Sequence, residues 1–468
     1  MAPKQHVKLL ECCQVSPPTG SVSSTTLPLI FLDIPWLLSS PSQPLFFYDL
    51  PSTISHFKQN ILPNFKTSLS LTLQYYFPLA GKLIIPPQPS KPQISYTSGD
   101  SVSLTIAEST SDHYNHVLSH HQNCVQDFHQ LVPQLLPQIS ELVQVDQELK
   151  YYSLLAVQIT IFPECGISIG FSKCHVVADE RTFNNFLKTW AAIFRTGLEL
   201  HLPILYKNLP YYDRSVIYDT NGVESILWKE WCNQKSVTSS SVDNFNDMVR
   251  STFEMGRPEM EVIKAWIMSR SNQLFGSAQL LLSPYVVTCS FIWVCWLKAN
   301  MGHDEDPIEK TEPHYFGFIA GGITRLGYPV PINYVGNCIA FGRAMARTNE
   351  LLGENGIIFA AKAIGDTIKE LNEDVLGGAK NWILDWEVFS GSGLHMTVTG
   401  SPKVDLYTLD FGWGRPRKIE EISIDKTGGV SLCESRDMIG GIEVGLALPL
   451  AKMEAFHVLY NEGLKNLH

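Results

Sequence analysis

The stretch GFSKCHVVADERTFNNFLKTWAA, from Gly170 to Ala192, holds the residues best suited to chemistry. An imidazole titrating near 6.5 is neutral at cytosolic pH and can take a proton from a hydroxyl, which makes His175 a candidate general base. Four residues on, Asp179 precedes a run whose apolar residues Phe183, Phe186, Leu187, Trp190 and Phe194 recur at helical spacing, so it is a natural helix N-cap. A His-x-x-x-Asp spacing is expected by chance about once in a chain with 14 histidines. On local grounds His175 therefore stands either as a base or as a hydrogen-bonded structural residue. Its neighbour Cys174 falls on the opposite face of an extended chain, which argues against a thiol–imidazole couple.

Two further texts carry candidate groups. In DFGWGRP, Asp410 to Pro416, Gly412 and Gly414 bracket Trp413, and Asp410 can tie the loop through backbone or arginine hydrogen bonds. That pattern predicts a structural loop rather than a nucleophile. The patch His113, His116, His120, His121 with Cys124 sits in a polar segment without closed zinc spacing and is expected to be a solvated helix face, with no metal. There is no G-x-S-x-G elbow, no phosphate-binding G-x-x-x-x-G-K-[ST] loop and no G-x-G-x-x-G fingerprint.

The elements around these residues follow from periodicity. Val157, Ile159 and Ile161 alternate with polar neighbours, PECG at 163–166 turns the chain, and Ile167, Ile169 and Phe171 resume the alternation, predicting a hairpin that delivers the chain to His175. His175 has the parity of Phe171, so a strand continued to that point aims it at the interior. Val102, Leu104 and Ile106 predict another strand. Phe57, Ile61, Phe65, Leu69 and Leu73 predict a helix over 54–76, interrupted near Pro63. The uncharged run Leu280–Leu297 is long enough to suggest a membrane span, but Ser283 before Pro284 is a helix start, so a shorter buried core helix is expected. The Ser- and Asn-rich segment 234–250 predicts a linker and 303–313 a charged surface loop. Mixed strands and helices without a repeat predict layered α/β domains: an N-terminal domain over 1–205, a crossover over 206–250 and a C-terminal domain over 251–468.

Composition narrows the function. With 35 Lys+Arg against 46 Asp+Glu in 468 residues, the net charge of −11 disfavours generic binding to nucleic acid or an anionic membrane. Hydrophobic residues at 44% and charged ones at 17% describe a folded chain. The ten cysteines form no CxxC pair, and the first residues lack an apolar stretch of signal-peptide length, so a reducing, cytosolic setting is expected.

Taken together, HVVAD at 175–179 and DFGWG at 410–414 resemble the two signatures of the plant BAHD acyl-CoA-dependent acyltransferases. The resemblance extends through TLPLIFLDIPWL from Thr26, SLSLTLQYYFPLAGKL from Ser68, LPYYDRSVI from Leu209, TVTGSPKVDLY from Thr397 and NYVGNC from Asn333. NYVGNC is similar to the YFGNC signature of the anthocyanin and flavonoid glycoside branch. The resemblance implies two similar-sized chloramphenicol acetyltransferase-like domains with a channel between them, acting as a monomer. It implies that acyl-CoA is a co-substrate and that no cofactor is bound. The donor is expected to be malonyl- or hydroxycinnamoyl-CoA, and the acceptor a sugar hydroxyl of an anthocyanin or other phenolic glucoside. His175 would be the base, with Asp179, Asp410, Gly412, Trp413 and Gly414 supporting the site. Lys403, Arg415, Arg417 and Lys418 are candidates to meet CoA phosphates. The chain departs from the family at Glu180, where glycine is common, at Cys174, and at Ile323, where an arginine partner of Asp179 is expected. Arg325, two residues on, is the expected substitute. If no substitute serves, a relative that binds CoA or phenolic glycosides without turnover is the second expectation.

Overall fold

The computed structural model describes residues 6–467 apart from 88–89, 120–121, 136–149, 208, 234–244, 246, 277–278, 302–310 and 386–394. The chain divides into two units of mixed sheet and helix, each assembled from separated segments. Met1–Phe245, Pro329–Cys338 and Val404–Ser423 form the first, and Asn246–Tyr328, Ile339–Lys403 and Ile424–His468 the second.

In the first unit the strands of the main sheet run in the order Lys8–Val15, Val102–Glu108, Leu155–Phe162, Gly166–Lys173, Pro44–Asp49, Lys418–Glu421. The predicted hairpin is present, pairing Gly166 with Phe162 through to Lys173 with Leu155. Every residue of its two strands is buried, on both faces of the sheet. On the polar-patterned positions this is made possible by side-chain bonds, as where Ser172 donates to the Pro133 carbonyl at 2.5 Å. The predicted helix forms as Ile54–His56, a π-helical turn Phe57–Ile61 and Leu62–Leu73, with Pro63 in the first turn of the last segment, where its missing N–H costs nothing. The long helix Glu180–Lys207 packs beside it, placing Trp190 edge-on to Phe65, and kinks at Gly197.

The second unit holds a sheet ordered Ile339–Arg347, Pro313–Gly321, His395–Gly400, Val430–Glu434, Ile442–Pro449, Met248–Met255. Helix Pro284–Met301 is buried almost all round, against helices Arg257–Phe275, Gly356–Glu373 and Leu450–Asn466. Ser283 Oγ accepts the Val286 N–H at 3.3 Å, as a cap should. Among the described residues no helix is long and apolar enough to cross a membrane.

The division differs from the expected halves. Both NYVGNC and DFGWG belong to the first unit rather than to a contiguous 251–468 domain. The physical reason is pairing: Lys418–Glu421 hydrogen-bonds with Pro44–Asp49 as the edge strand of the first sheet, and Tyr334 forms a β-bridge with Tyr211. The expected crossover over 206–250 also contains structure, a 3-10 turn Arg214–Val216 and helix Val223–Asn233, while 234–244 lie outside the described residues. Of the expected charged loop at 303–313, residues 303–310 likewise lie outside the described residues.

Candidate active site

The strand that leads to His175 ends at Lys173. Cys174 donates its N–H to the Leu154 carbonyl at 2.9 Å, and His175–Val177 form a 3-10 turn, so the turn rather than strand parity aims the imidazole. The ring lies flat on Trp36, with centroids 3.6 Å apart and planes 12° from parallel. Its Nδ1 is 3.2 Å from Asn337 Oδ1. Trp36 thereby fixes the plane of the ring and Asn337 its rotation within that plane.

The hydrogen-bond network also fixes the tautomer. Asn337 Nδ2 faces three acceptors: Asp33 Oδ1 at 2.9 Å, the His175 carbonyl at 3.1 Å and the Val176 carbonyl at 3.1 Å. The amide nitrogen is thus committed as a donor, and Oδ1 must be the atom turned to His175. An oxygen there can only accept, so Nδ1 carries the proton and Nε2 keeps a lone pair. Burial holds the imidazole well below the ordinary histidine range; the cationic Lys173 pushes the same way, and the bond to Asn337 opposes both. His175 is consequently a neutral imidazole at neutral pH.

A buried ion pair stands behind Asn337. Asp33 Oδ2 accepts from Arg214 Nη1 at 3.2 Å and from the Ile30 N–H at 3.0 Å, and the same Nη1 donates to Tyr334 Oη at 3.0 Å. Asp33 is fully buried and Arg214 nearly so. Burial raises the Asp33 carboxyl from its ordinary value, and Arg214 with Asn337 offsets part of that rise. Gly336 has φ 139°, and a Cβ on it would lie 2.4 Å from Arg214 Nη1, so the approach of this chain to the guanidinium requires glycine.

Asp179 is 1% exposed and ties two segments together. Its Oδ1 accepts the Thr182 N–H at 2.8 Å, the expected N-cap, and its Oδ2 accepts the Cys338 N–H at 3.1 Å. The guanidinium that pairs with it belongs to Arg181, at 3.7 Å, which corrects the expectation of Arg325. Helical side chains lean toward the N-terminus, so an arginine in the first turn reaches back to the cap. Arg325 instead donates to Asn372 Oδ1 and the Gly321 carbonyl in the second unit. Glu180, the other departure, lies 3.6 Å from the Nζ of buried Lys173.

DFGWG is a packed loop. Asp410 Oδ1 accepts the N–H groups of Gly412 at 2.6 Å and Gly414 at 2.9 Å, with Arg195 3.7 Å from Oδ2. The two glycines have φ 108° and 89°, a region costly for other residues. Phe411 is buried among Phe65, Trp190, Phe194 and Tyr48, and Trp413 stacks on it. Of the four cations near this loop, Arg417 pairs with Asp49 at 3.4 Å and Lys418 is taken up by Glu420 at 2.9 Å and the Val117 carbonyl. Lys403 and Arg415 are exposed, the former in the second unit.

Of the histidine patch, the two described histidines are taken up by neighbouring side chains and backbone. His113 Nδ1 bonds Ser109 Oγ at 2.7 Å and its Nε2 the Asp127 carbonyl at 3.2 Å, while His116 pairs with the Asp127 carboxylate at 3.0 Å. Burial lowers His113 to about 4. His120 and His121 lie outside the described residues, Cys124 is half-buried, and no group of three metal-binding side chains occurs among the described residues. Burial pushes the thiols of Cys174 and Cys338 up to about 12, so neither is a thiolate at neutral pH.

Trp36, Asn337, Asp33, Arg214 and Arg181 were not among the sequence candidates. Four of them sit in TLPLIFLDIPWL, LPYYDRSVI and NYVGNC, the stretches singled out for resemblance, which was the signal available.

A model of the transferase family matches residues 6–461. The chain belongs to this family, the BAHD acyl-CoA-dependent acyltransferases. It is similar to a coumaroyl-CoA:anthocyanidin 3-O-glucoside-6''-O-coumaroyltransferase of Arabidopsis thaliana, 36% identical with 98% of each chain covered. It is likewise similar to a malonyl-coenzyme:anthocyanin 5-O-glucoside-6'''-O-malonyltransferase of Salvia splendens, 37% identical over 97% of this chain and 95% of that one. Among solved structures, vinorine synthase shares the fold with a TM-score of 0.65 at 17% identity, covering 96% of both chains. The protein is therefore an acyltransferase with acyl-CoA as co-substrate and the two-domain fold expected from the sequence.

Proposed function

We propose that this BAHD protein transfers a malonyl or hydroxycinnamoyl group from CoA to a sugar hydroxyl of an anthocyanin or other phenolic glucoside, with His175 as general base. The observation that carries the reading is the fixed, neutral imidazole whose Nδ1–H is spent on Asn337 and whose Nε2 lone pair is left for substrate. Nε2 takes the acceptor's hydroxyl proton as the oxygen attacks the thioester carbonyl, and a tetrahedral intermediate forms. Its collapse expels the CoA thiolate, which recovers the proton from Nε2. No acyl-enzyme is required, and the thiols beside His175 and Asn337 are too weakly acidic to form one. Both donor classes occur among the relatives, as the coumaroyl- and malonyltransferases above.

Binding without turnover was suggested by Glu180 and Ile323, but Glu180 pairs with Lys173 and Arg181 supplies the cation for Asp179. We include a cytosolic monomer in the proposal, to be tested by cell fractionation and light scattering. The deciding assay is release of CoA thiol from malonyl-, acetyl-, coumaroyl- and caffeoyl-CoA, with and without anthocyanin and flavonoid glucosides. Release that needs a glucoside is expected with at least one donor. His175→Ala, in a protein that remains folded, is expected to lower that rate by about 10²–10⁴-fold. Wild-type rates in that variant would refute the role of His175, and release without an acceptor would indicate a hydrolase.

A further inference from the structure

We infer that Asp33 is a positioning residue for His175, acting through Asn337 to hold the imidazole as its Nδ1–H tautomer. This rests on the reading of His175 as the base. Asp33 makes no contact with the imidazole; it belongs to the Ile30–Leu38 segment that also supplies Trp36. Its two oxygens are divided between two duties. Oδ2 receives Arg214 and the Ile30 N–H, while Oδ1 receives the Asn337 side-chain amide, at 2.9 Å and the shortest of that amide's three bonds; the Asn337 backbone N–H also favours the carboxylate. A carboxylate can accept and never donate, so it dictates which end of the Asn337 amide faces it. The other end, Oδ1, is then left for His175 Nδ1. The two backbone carbonyls reinforce this choice, and three acceptors compete for two N–H bonds.

Asp33→Asn tests the chain of orientation with almost no change of shape. The new amide must give its oxygen to Arg214 and the Ile30 N–H, two donors that tolerate nothing else. Its NH₂ then faces the NH₂ of Asn337, and donor meets donor. Turning Asn337 relieves that clash at the cost of its bonds to the His175 and Val176 carbonyls; it places an N–H against His175 Nδ1 and moves the imidazole proton to Nε2, where the ring can no longer take one from substrate. The readout is the ¹⁵N spectrum of protein carrying ring-labelled histidine, in which protonated and unprotonated ring nitrogens are well separated. The His175 signals are assigned by their loss in His175→Gln.

Wild type is expected to show Nδ1–H, and Asp33→Asn a shift toward Nε2–H, with kcat lowered about 10²-fold, the low end of base catalysis, and KM within about threefold, because substrate contacts are untouched. Should Asp33→Asn fail to fold because Arg214 is stranded, Asp33→Asn with Arg214→Met leaves no buried charge unpaired, and the Ile30 N–H still claims the Asn oxygen. The same tautomer shift is expected there. Retention of Nδ1–H with near-wild-type kcat in a folded variant would overturn the inference and leave Asp33 as the counter-ion of Arg214 alone. If His175→Ala proved active, the base assignment would fall, while the nitrogen spectrum would still decide whether Asp33 sets the tautomer.

Discussion

Removing the Asp179 carboxylate is expected to cost about 3 kcal/mol of stability and to lower kcat without touching any reacting atom. The magnitude follows from three losses. The helix cap, Thr182 N–H to Oδ1, contributes about 1 kcal/mol. The Cys338 N–H, buried and left without its acceptor, costs a further ~1–3 kcal/mol. The pair with Arg181 adds at most about 0.5 kcal/mol, because that side chain is 26% exposed and keeps its bonds to the Ile332 and Tyr334 carbonyls. Asp179→Asn keeps the cap oxygen but turns an NH₂ toward Cys338, so it should lose about 2 kcal/mol rather than 3. Urea unfolding followed by tryptophan fluorescence measures both variants, and thiol release measures kcat. Cys338 is the residue after Asn337, so freeing its N–H loosens the segment that orients His175; kcat should fall in both variants. A loss below about 1 kcal/mol in Asp179→Ala, or an unchanged kcat in both, would refute the claim that Asp179 ties the start of the 180–207 helix to the 333–338 segment.

Three other outcomes are expected. Lys173 lowers His175, so Lys173→Met should move the acid limb of kcat/KM upward toward the ordinary histidine range; a limb that stays or moves down would exclude that electrostatic coupling. His113 and His314 are held at about 4 by burial against 6.5 in the unfolded chain, so the unfolded state binds protons that the native state refuses between these values. Stability is therefore lost as pH falls from 6.5 toward 4, on the order of 3 kcal/mol for the fully buried His314. His314→Asn, which can still accept the Trp293 Nε1–H, should flatten that slope in pH-dependent unfolding. Phe411→Ala should destabilise by about 3–5 kcal/mol, since its ring is 1% exposed and surrounded by aromatic side chains. Calorimetry with a loss under about 1 kcal/mol would show that the loop does not anchor to that cluster.

Local signals in the sequence were translated faithfully. The alternation around PECG gives the hairpin, Pro63 marks the change within the 54–73 helix, Ser283–Pro284 starts the buried helix, and Asp179 caps the next one. Pairing across the chain was not legible, because periodicity says that a strand is half-buried or buried but not which strand lies beside it. Lys418–Glu421 joins Pro44–Asp49 across more than 370 residues, and that one ladder carries DFGWG into the first unit. The same limit hid the partner of His175, which lies 162 residues further along the chain. For Asp179 the difference is of another kind: the resemblance places an arginine at a distant position, while the first turn of its own helix carries Arg181. Helix geometry sends that side chain back toward the cap, so local stereochemistry was the better guide.

An amide behind the histidine, rather than a carboxylate, bears on both halves of the proposed reaction. A carboxylate at that point would stabilise the imidazolium and raise the base toward neutrality. Asn337 fixes the tautomer and the aim without adding charge, and burial and Lys173 keep the ring below the ordinary range. In the proposed reaction a base so weak cannot hold a proton from the acceptor hydroxyl for long, so transfer accompanies attack on the thioester. The same property then serves the second half. An imidazolium of low pKa beside a departing alkyl thiolate, a stronger base than the ring, returns the proton downhill and resets the neutral base. The arrangement trades strength in the first proton transfer for speed in the second, and it predicts a kcat that is flat across neutral pH because no step waits for His175 to change its resting protonation.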